Sequence, residues 1–198
     1  MLIRHFHRRN LPHLYYNEGI YFITYRLYGS IPVYKLKRLG ELSDHPIESG
    51  YSRYRRVFNG YDSLLDYSSD GIKYLAQPEI MDICKSSIHF YDGKIYNILC
   101  YCIMPNHIHL VFELLNGSKM VGDIMGSIKK YSAAKSNKFL NRTGHFWQAE
   151  SFDRLVRNDV ELYFTIRYVL LNPVKAGLVD KWSSWQGTYC PAEYQVID

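Results

Sequence analysis

The chain has 198 residues and 23.4 kDa, with 47% hydrophobic and 22% charged residues. That is enough apolar material for one folded domain, and it excludes a disordered or collagen-like chain. The 24 Lys and Arg against 19 Asp and Glu leave a formal charge of +5, a balance that suits a polyanionic partner. No apolar run approaches the roughly 18 residues of a membrane span and residues 1–10 hold no apolar signal core, so a cytoplasmic protein without membrane association is expected.

Nineteen tyrosines are the unusual feature of the composition. Tyrosine offers a stacking face and a hydroxyl, so a basic, tyrosine-rich chain points to single-stranded nucleic acid. The four cysteines, Cys84, Cys100, Cys102 and Cys190, form no CxxC pair, and a reduced compartment is the default.

In chain order, Arg4, Arg8 and Arg9 read either as a flexible arm or as nothing of functional note. Tyr21 to Tyr28 alternates like a strand and is broken by Gly29 to Pro32. Residues 33–70 are basic, aromatic and only weakly helical, and read as a surface insertion. Pro78 to Ser87 shows helical periodicity, with Pro78 at the start. Ile95 to Met104 is a strand, Pro105-Asn106 a turn, and His107 to Leu115 a second strand. Met120 to Leu140 carries a helical apolar stripe, and Phe146 to Val156 returns to strand. The last helix opens at Asn158 with Glu161 three residues on, and Asn172-Pro173 and Gly177 close it. This order predicts an α+β, ferredoxin-like split βαβ fold: an antiparallel sheet with helices on one face and a basic helical insertion after the first strand. The whole chain, 1–198, then forms a single domain.

The most informative stretch is MPNHIHLVFEL, residues 104–114. Alternate strand side chains share a face, so His107 and His109 point the same way and a cation fits between their imidazoles. Ile108, Leu110, Phe112 and Leu114 form the opposite, core-facing row. A two-residue turn at Pro105-Asn106 pairs Ile103 with Ile108 and Tyr101 with Leu110, and leaves the histidines on a face that need not be covered. An isolated H-x-H is more often just a pair of exposed or hydrogen-bonded strand histidines. The same register puts Cys102 beside His109 with Cys100 on that face, which leaves a Cys/His zinc site as another reading. Its spacings are tight, however, and its array is flat for a tetrahedral ion. In the last helix Tyr168 and Asn172 are four residues apart and share a face.

PNHIHLVFEL resembles the histidine-hydrophobic-histidine (HUH) motif of single-tyrosine, IS200-like transposases. Together with GHFWQAESFDRLVRN and RYVLLNPVKAGLV, residues 144–158 and 167–179, it resembles the REP-associated tyrosine transposases. The likeness spans about residues 72–189 plus the first strand.

The resemblance implies a metal-dependent nuclease that cuts and rejoins single-stranded DNA through a 5′-phosphotyrosine link. Its DNA would be hairpin-forming repeats, its ion Mg²⁺ or Mn²⁺, and its state a monomer or a homodimer. His107 and His109 correspond to metal ligands and Tyr168 to the nucleophile. Asn172 stands where relatives place a polar third ligand, usually glutamine, with His145 and Glu150 as substitutes. The rival on the same fold is a catalytically inactive nucleic-acid-binding protein. Expected DNA contacts are Lys129, Lys130 and Tyr131 on the helix after the histidine strand, and Arg154, Arg157, Arg167 and Lys175 around the tyrosine helix. Arg53, Arg55 and Arg56, interleaved with Tyr51 and Tyr54, form a further basic-aromatic run.

Overall fold

The computed structural model describes residues 3–8, 12–16, 18–32, 60–65, 71–115 and 119–195. Its elements are β1 (Ile3–Arg8), β2 (Pro12–Tyr16), β3 (Gly19–Arg26), α1 (Pro78–His89), β4 (Tyr96–Ile103), β5 (His107–Leu114), α2 (Val121–Phe139), β6 (Phe152–Val156), α3 (Asp159–Lys175) and β7 (Thr188–Tyr189). Residues 60–65 are helical. β1 and β2 pair as a separate antiparallel ribbon, so residues 3–8 are a strand and not a loose arm.

The other strands make one antiparallel sheet in the order β6-β3-β5-β4-β7. Taken without the short β7, this is the ferredoxin-like arrangement that the element order predicts. The β4–β5 hairpin has the expected register, with Ile103 opposite Ile108, Tyr101 opposite Leu110 and Cys102 opposite His109. A bulge between Ile98 and Cys100 inserts Leu99 without disturbing either apolar row around it.

α1 and α2 cover one sheet face. Ile80, Cys84 and Ile88 of α1 and Ile124 and Ile128 of α2 pack with Tyr21, Ile23, Tyr25, Ile108, Leu110 and Phe112. Ser132 continues the α2 stripe as a buried hydroxyl that accepts the Trp147 indole N–H at 2.9 Å and donates to the Ile128 carbonyl at 2.7 Å.

The last helix departs from the one-face expectation. Ile166, Val169 and Leu170 of α3 pack on the opposite face against Phe22, Leu99, Cys100, Cys102 and Val111. The histidine face is therefore covered, and His107 and His109 are fully buried. The physical reason lies in β4, whose apolar run fills both faces and demands a lid on each.

α3 starts as expected: the Asn158 side chain accepts the Glu161 N–H at 2.9 Å and Glu161 accepts the Arg157 N–H at 2.8 Å. It does not stop at Asn172-Pro173. The helix runs through Pro173 to Lys175, and Gly177, at φ +69°, closes it with Gly177 N–H to Val174 and Leu178 N–H to Pro173. This is a Schellman ending, and its extra turn carries Lys175 into the site described below.

The strand expected over residues 146–156 is shorter. Only Phe152–Val156 pairs in the sheet, while Trp147 makes an isolated bridge to Leu27. Part of the stretch 33–70 is also not superficial. Asp62 and Leu65 are buried, whereas Tyr51, Arg53, Tyr54, Arg55 and Arg56 lie outside the described residues.

Candidate active site

β5 carries the two imidazoles. Their Nε2 atoms face each other at 3.0 Å, and each ring is oriented from behind. Asn106 Oδ1 lies 2.6 Å from His107 Nδ1, and Thr24 Oγ1 lies 2.8 Å from His109 Nδ1. Such partners fix which nitrogen points into the cleft. Burial, and then the neighbouring His109, hold His107 well below its ordinary pKa of 6.5. Burial, and then Lys175, bring His109 down to about 3. Both imidazoles are thus neutral at pH 7, the form in which histidine binds a metal.

α3 brings in the rest. Tyr168, half-buried, places its hydroxyl 3.5 Å from His109 Nε2, with Phe22 packed edge-on against its ring at 5.9 Å. Asn172, one turn on, sets its Nδ2 at 3.2 Å from the same Nε2, while its buried Oδ1 has no hydrogen-bond partner among the described residues. A rotation of the amide, which exchanges the two atoms, would aim that oxygen at the imidazoles.

The sequence patterns do not mark Asp62, which the helical segment 60–65 delivers. The Tyr168 hydroxyl donates to Asp62 Oδ1, and Lys175 Nζ donates to Asp62 Oδ2 at 3.1 Å. Oδ1 also lies 3.7 Å from His109 Nε2. Asp62, His107 and His109 form a buried cluster whose ligand atoms all fall within 4.8 Å of one another. Among the described residues, His145 and Glu150 are not part of it. His145 is exposed and rests against the Tyr28 ring at 5.2 Å.

The donor set suits a divalent cation. Two neutral imidazoles and a carboxylate lie within 4.8 Å of one another, and a rotated Asn172 amide would add an oxygen, a mixture found at intermediate and hard metal centres. Among the described residues, no cysteine joins the histidine cluster, and Cys102 Sγ lies 3.6 Å from both Met104 Sδ and Thr188 Oγ1, so the Cys/His zinc alternative finds no built site.

The expected DNA contacts divide. Lys130, Tyr131, Arg157, Arg167 and Lys175 are exposed. Arg154 is held by Glu161 at 2.8 Å and bonds Thr165 at 2.8 Å. Lys129 turns inward and donates to the carbonyls of Gln148 and Ala149 at 3.0 and 3.1 Å.

A split βαβ sheet that presents a strand H-x-H pair to a helix-borne tyrosine has the layout of the HUH single-tyrosine class. The chain belongs to the IS200-like transposase family, whose model (Transposase IS200 like) matches residues 69–170, just over half of the sequence. It is 25% identical over 99 residues to a putative REP-associated tyrosine transposase of Haemophilus influenzae, covering 46% of this chain and 56% of that one. It is 26% identical over 92 residues to a REP-associated tyrosine transposase of Escherichia coli (strain K12), covering 46% and 52%. The chain thus matches about half the length of these curated relatives. The solved structure of a REP-associated tyrosine transposase bound to a REP hairpin shares the fold, with a TM-score of 0.55, 17% identity, and coverage of 92% of this chain and 80% of that one. Among the described residues, no helix is long and apolar enough to cross a membrane.

Proposed function

We propose that this chain cuts and rejoins single-stranded DNA at hairpin-forming repeats, with Tyr168 as nucleophile and a divalent cation, Mg²⁺ or Mn²⁺, as cofactor. The observation that carries the reading is the convergence of the Tyr168 hydroxyl and the Asn172 amide on His109 Nε2, at 3.5 and 3.2 Å. His107, His109 and Asn172 would hold the ion, with the Asp62 carboxylate beside it. The relatives' names and the hairpin-bound neighbour support the substrate class.

A free phenol ionises near pH 10, so about one in a thousand is phenolate at pH 7, and enforcing that form costs about 4 kcal/mol. When bound, the cation would supply Lewis-acid stabilisation of charge on the scissile phosphate. The chain's own residues do the positioning. α3 fixes the phenol oxygen beside the imidazoles, and Thr24 and Asn106 lock the rings. Tyr168 Oη then forms a bond to phosphorus as the bond from phosphorus to the 3′-oxygen breaks. The phenol gives up a proton and the departing oxygen takes one up. The products are a 5′-phosphotyrosine link and a free 3′-hydroxyl. Because the phosphodiester energy is conserved, reversal onto another 3′ end joins strands without ATP. Exposed Lys130, Arg157 and Arg167 would track the phosphates.

The test is a denaturing gel of labelled single-stranded hairpin DNA incubated with protein and Mn²⁺. A protein-linked band that vanishes in Tyr168→Phe and on chelation is the expected result. A native-gel shift with no covalent band under any condition would instead establish a binding-only protein.

A further inference from the structure

Asp62 lies seven positions before the segment that the family model matches, yet it enters the centre of the site. It is buried, and both of its oxygens are engaged: Oδ1 accepts the Tyr168 hydroxyl and Oδ2 accepts Lys175. The segment that carries it is anchored three ways. Asn106, the residue that orients His107, donates through Nδ2 to the Leu65 carbonyl at 3.1 Å. Arg26 of β3 donates to the Tyr61 hydroxyl at 3.0 Å, and the Tyr61 ring stacks on Phe152 of β6 at 6.3 Å. Asp62 is therefore held on the sheet rather than on α3, and it grips α3 from outside.

We propose that Asp62 is the positioning residue of Tyr168, which makes the segment 60–65 a working part of the active site. The inference rests on Tyr168 being the nucleophile. The ring of Tyr168 is confined by Phe22 and by His109, whose centroid is 5.3 Å away. Ring contacts do not decide where the hydroxyl hydrogen points. With that hydrogen fixed on Asp62, the lone pairs of the phenol oxygen are turned away from the carboxylate and left for phosphorus. Lys175 steadies the carboxylate from the second oxygen. It lies seven residues beyond Tyr168 on the same helix face, so the Asp62 bridge spans two turns of α3 and resists rotation of the helix about its axis. A nucleophile mis-aimed by an ångström loses rate, not affinity.

The test uses the full chain with Mn²⁺ and labelled single-stranded hairpin DNA. Three quantities are read for wild type, Asp62→Ala, Asp62→Asn and Lys175→Gln: the single-turnover rate of covalent adduct, the Mn²⁺ affinity without DNA, and the ¹³C shift of Tyr168 Cζ. Asp62→Ala is expected to slow adduct formation about tenfold to a hundredfold at saturating DNA, move the Cζ resonance, and leave Mn²⁺ and DNA affinities essentially unchanged. Asp62→Asn, whose amide oxygen still accepts the hydroxyl, recovers most of the rate, and Lys175→Gln falls between. If Asp62→Ala does not fold, Asp62→Asn and Lys175→Gln carry the comparison. A wild-type rate in Asp62→Ala, or an unmoved Cζ, overturns the proposal. So does a fall in Mn²⁺ affinity proportional to the rate, which would make Asp62 a metal ligand only. Absence of adduct from the wild-type chain overturns the cleavage reading instead, and the Cζ shift then still decides whether Asp62 holds Tyr168.

Discussion

Thr24 Oγ1 lies 2.8 Å from Nδ1 of His109, so the outer nitrogen of that imidazole is taken and Nε2 is left to face His107. Asn106 performs the same task for His107 from the turn. Replacing such orienting partners of metal-binding histidines typically costs 10- to 100-fold in metal affinity. Thr24→Val keeps the side-chain shape and removes the hydroxyl. It is expected to weaken Mn²⁺ binding by about tenfold or more while leaving the circular dichroism spectrum unchanged. Titration calorimetry on the DNA-free protein checks this, and unchanged affinity would mean that His109 needs no such partner.

Asn172 poses a different question, because its Oδ1 is buried without a partner among the described residues. An unsatisfied buried polar atom costs about 1–3 kcal/mol, a cost that metal ligation would relieve. Asn172→Leu, with the same branching and number of side-chain heavy atoms, should leave the metal-free protein within about 1 kcal/mol of wild type or more stable. It should also lower Mn²⁺ affinity. Urea melts in EDTA read the first quantity and calorimetry the second. A large loss of stability with unaltered Mn²⁺ binding would show that Asn172 is structural.

The histidines also set a pH dependence for the metal-free chain. Both have depressed pKa values in the folded state, His107 by burial and His109, and His109 by burial and Lys175. Unfolded histidines protonate near pH 6.5, so below that point the unfolded state binds more protons. Their contribution is therefore complete above about pH 6.5 and is lost as pH falls towards 3, by at most about 1.4 kcal/mol per pH unit for each ring. Urea unfolding in EDTA at pH 7.5 and 5.0 should show a clear fall for wild type, and a smaller one for His109→Gln. Equal falls in both proteins would contradict the neutral, buried state of His109.

Much of this site is legible in the sequence because it is local. The H-x-H alternation, the Pro105-Asn106 turn and the i, i+4 spacing of Tyr168 and Asn172 each fix geometry over a few residues. The hairpin register follows from them, as does the shared face of the two helix residues. What joins the elements is less legible. Asp62 meets Tyr168 across 106 positions, from a stretch with no apolar period, and no local rule marks an aspartate between Tyr61 and Ser63. The covered histidine face did leave a signal. Leu99, Cys100 and Cys102 lie in an unbroken apolar run, which is the pattern of a strand buried on both sides. Reading only the Ile108 row as core hides the place of α3.

Lys129 and Arg167 look alike in sequence, as basic residues on helices near the site, and the structure separates them. The Lys129 ammonium bonds two carbonyls of the stretch after α2 and sits 5.8 Å from the centroid of the Tyr25 ring. Burial, and then Arg26, bring its pKa down to about 8. Lys129→Ala should therefore act on stability, by about 1.5–3 kcal/mol for hydrogen bonds from a charged donor. Arg167 is exposed on α3, as are Tyr163 and Phe164 one turn before it, at 42% and 59%. Arg167→Ala should lower the slope of log K against log salt for single-stranded DNA by about 0.7. Phe164→Ala should weaken binding by about 1–3 kcal/mol at every salt concentration, as loss of a stacking surface does. Fluorescence anisotropy with an unstructured oligonucleotide over a salt series, alongside urea melts, measures all three. A salt slope altered by Lys129→Ala with stability intact, or untouched by Arg167→Ala, would reverse these assignments.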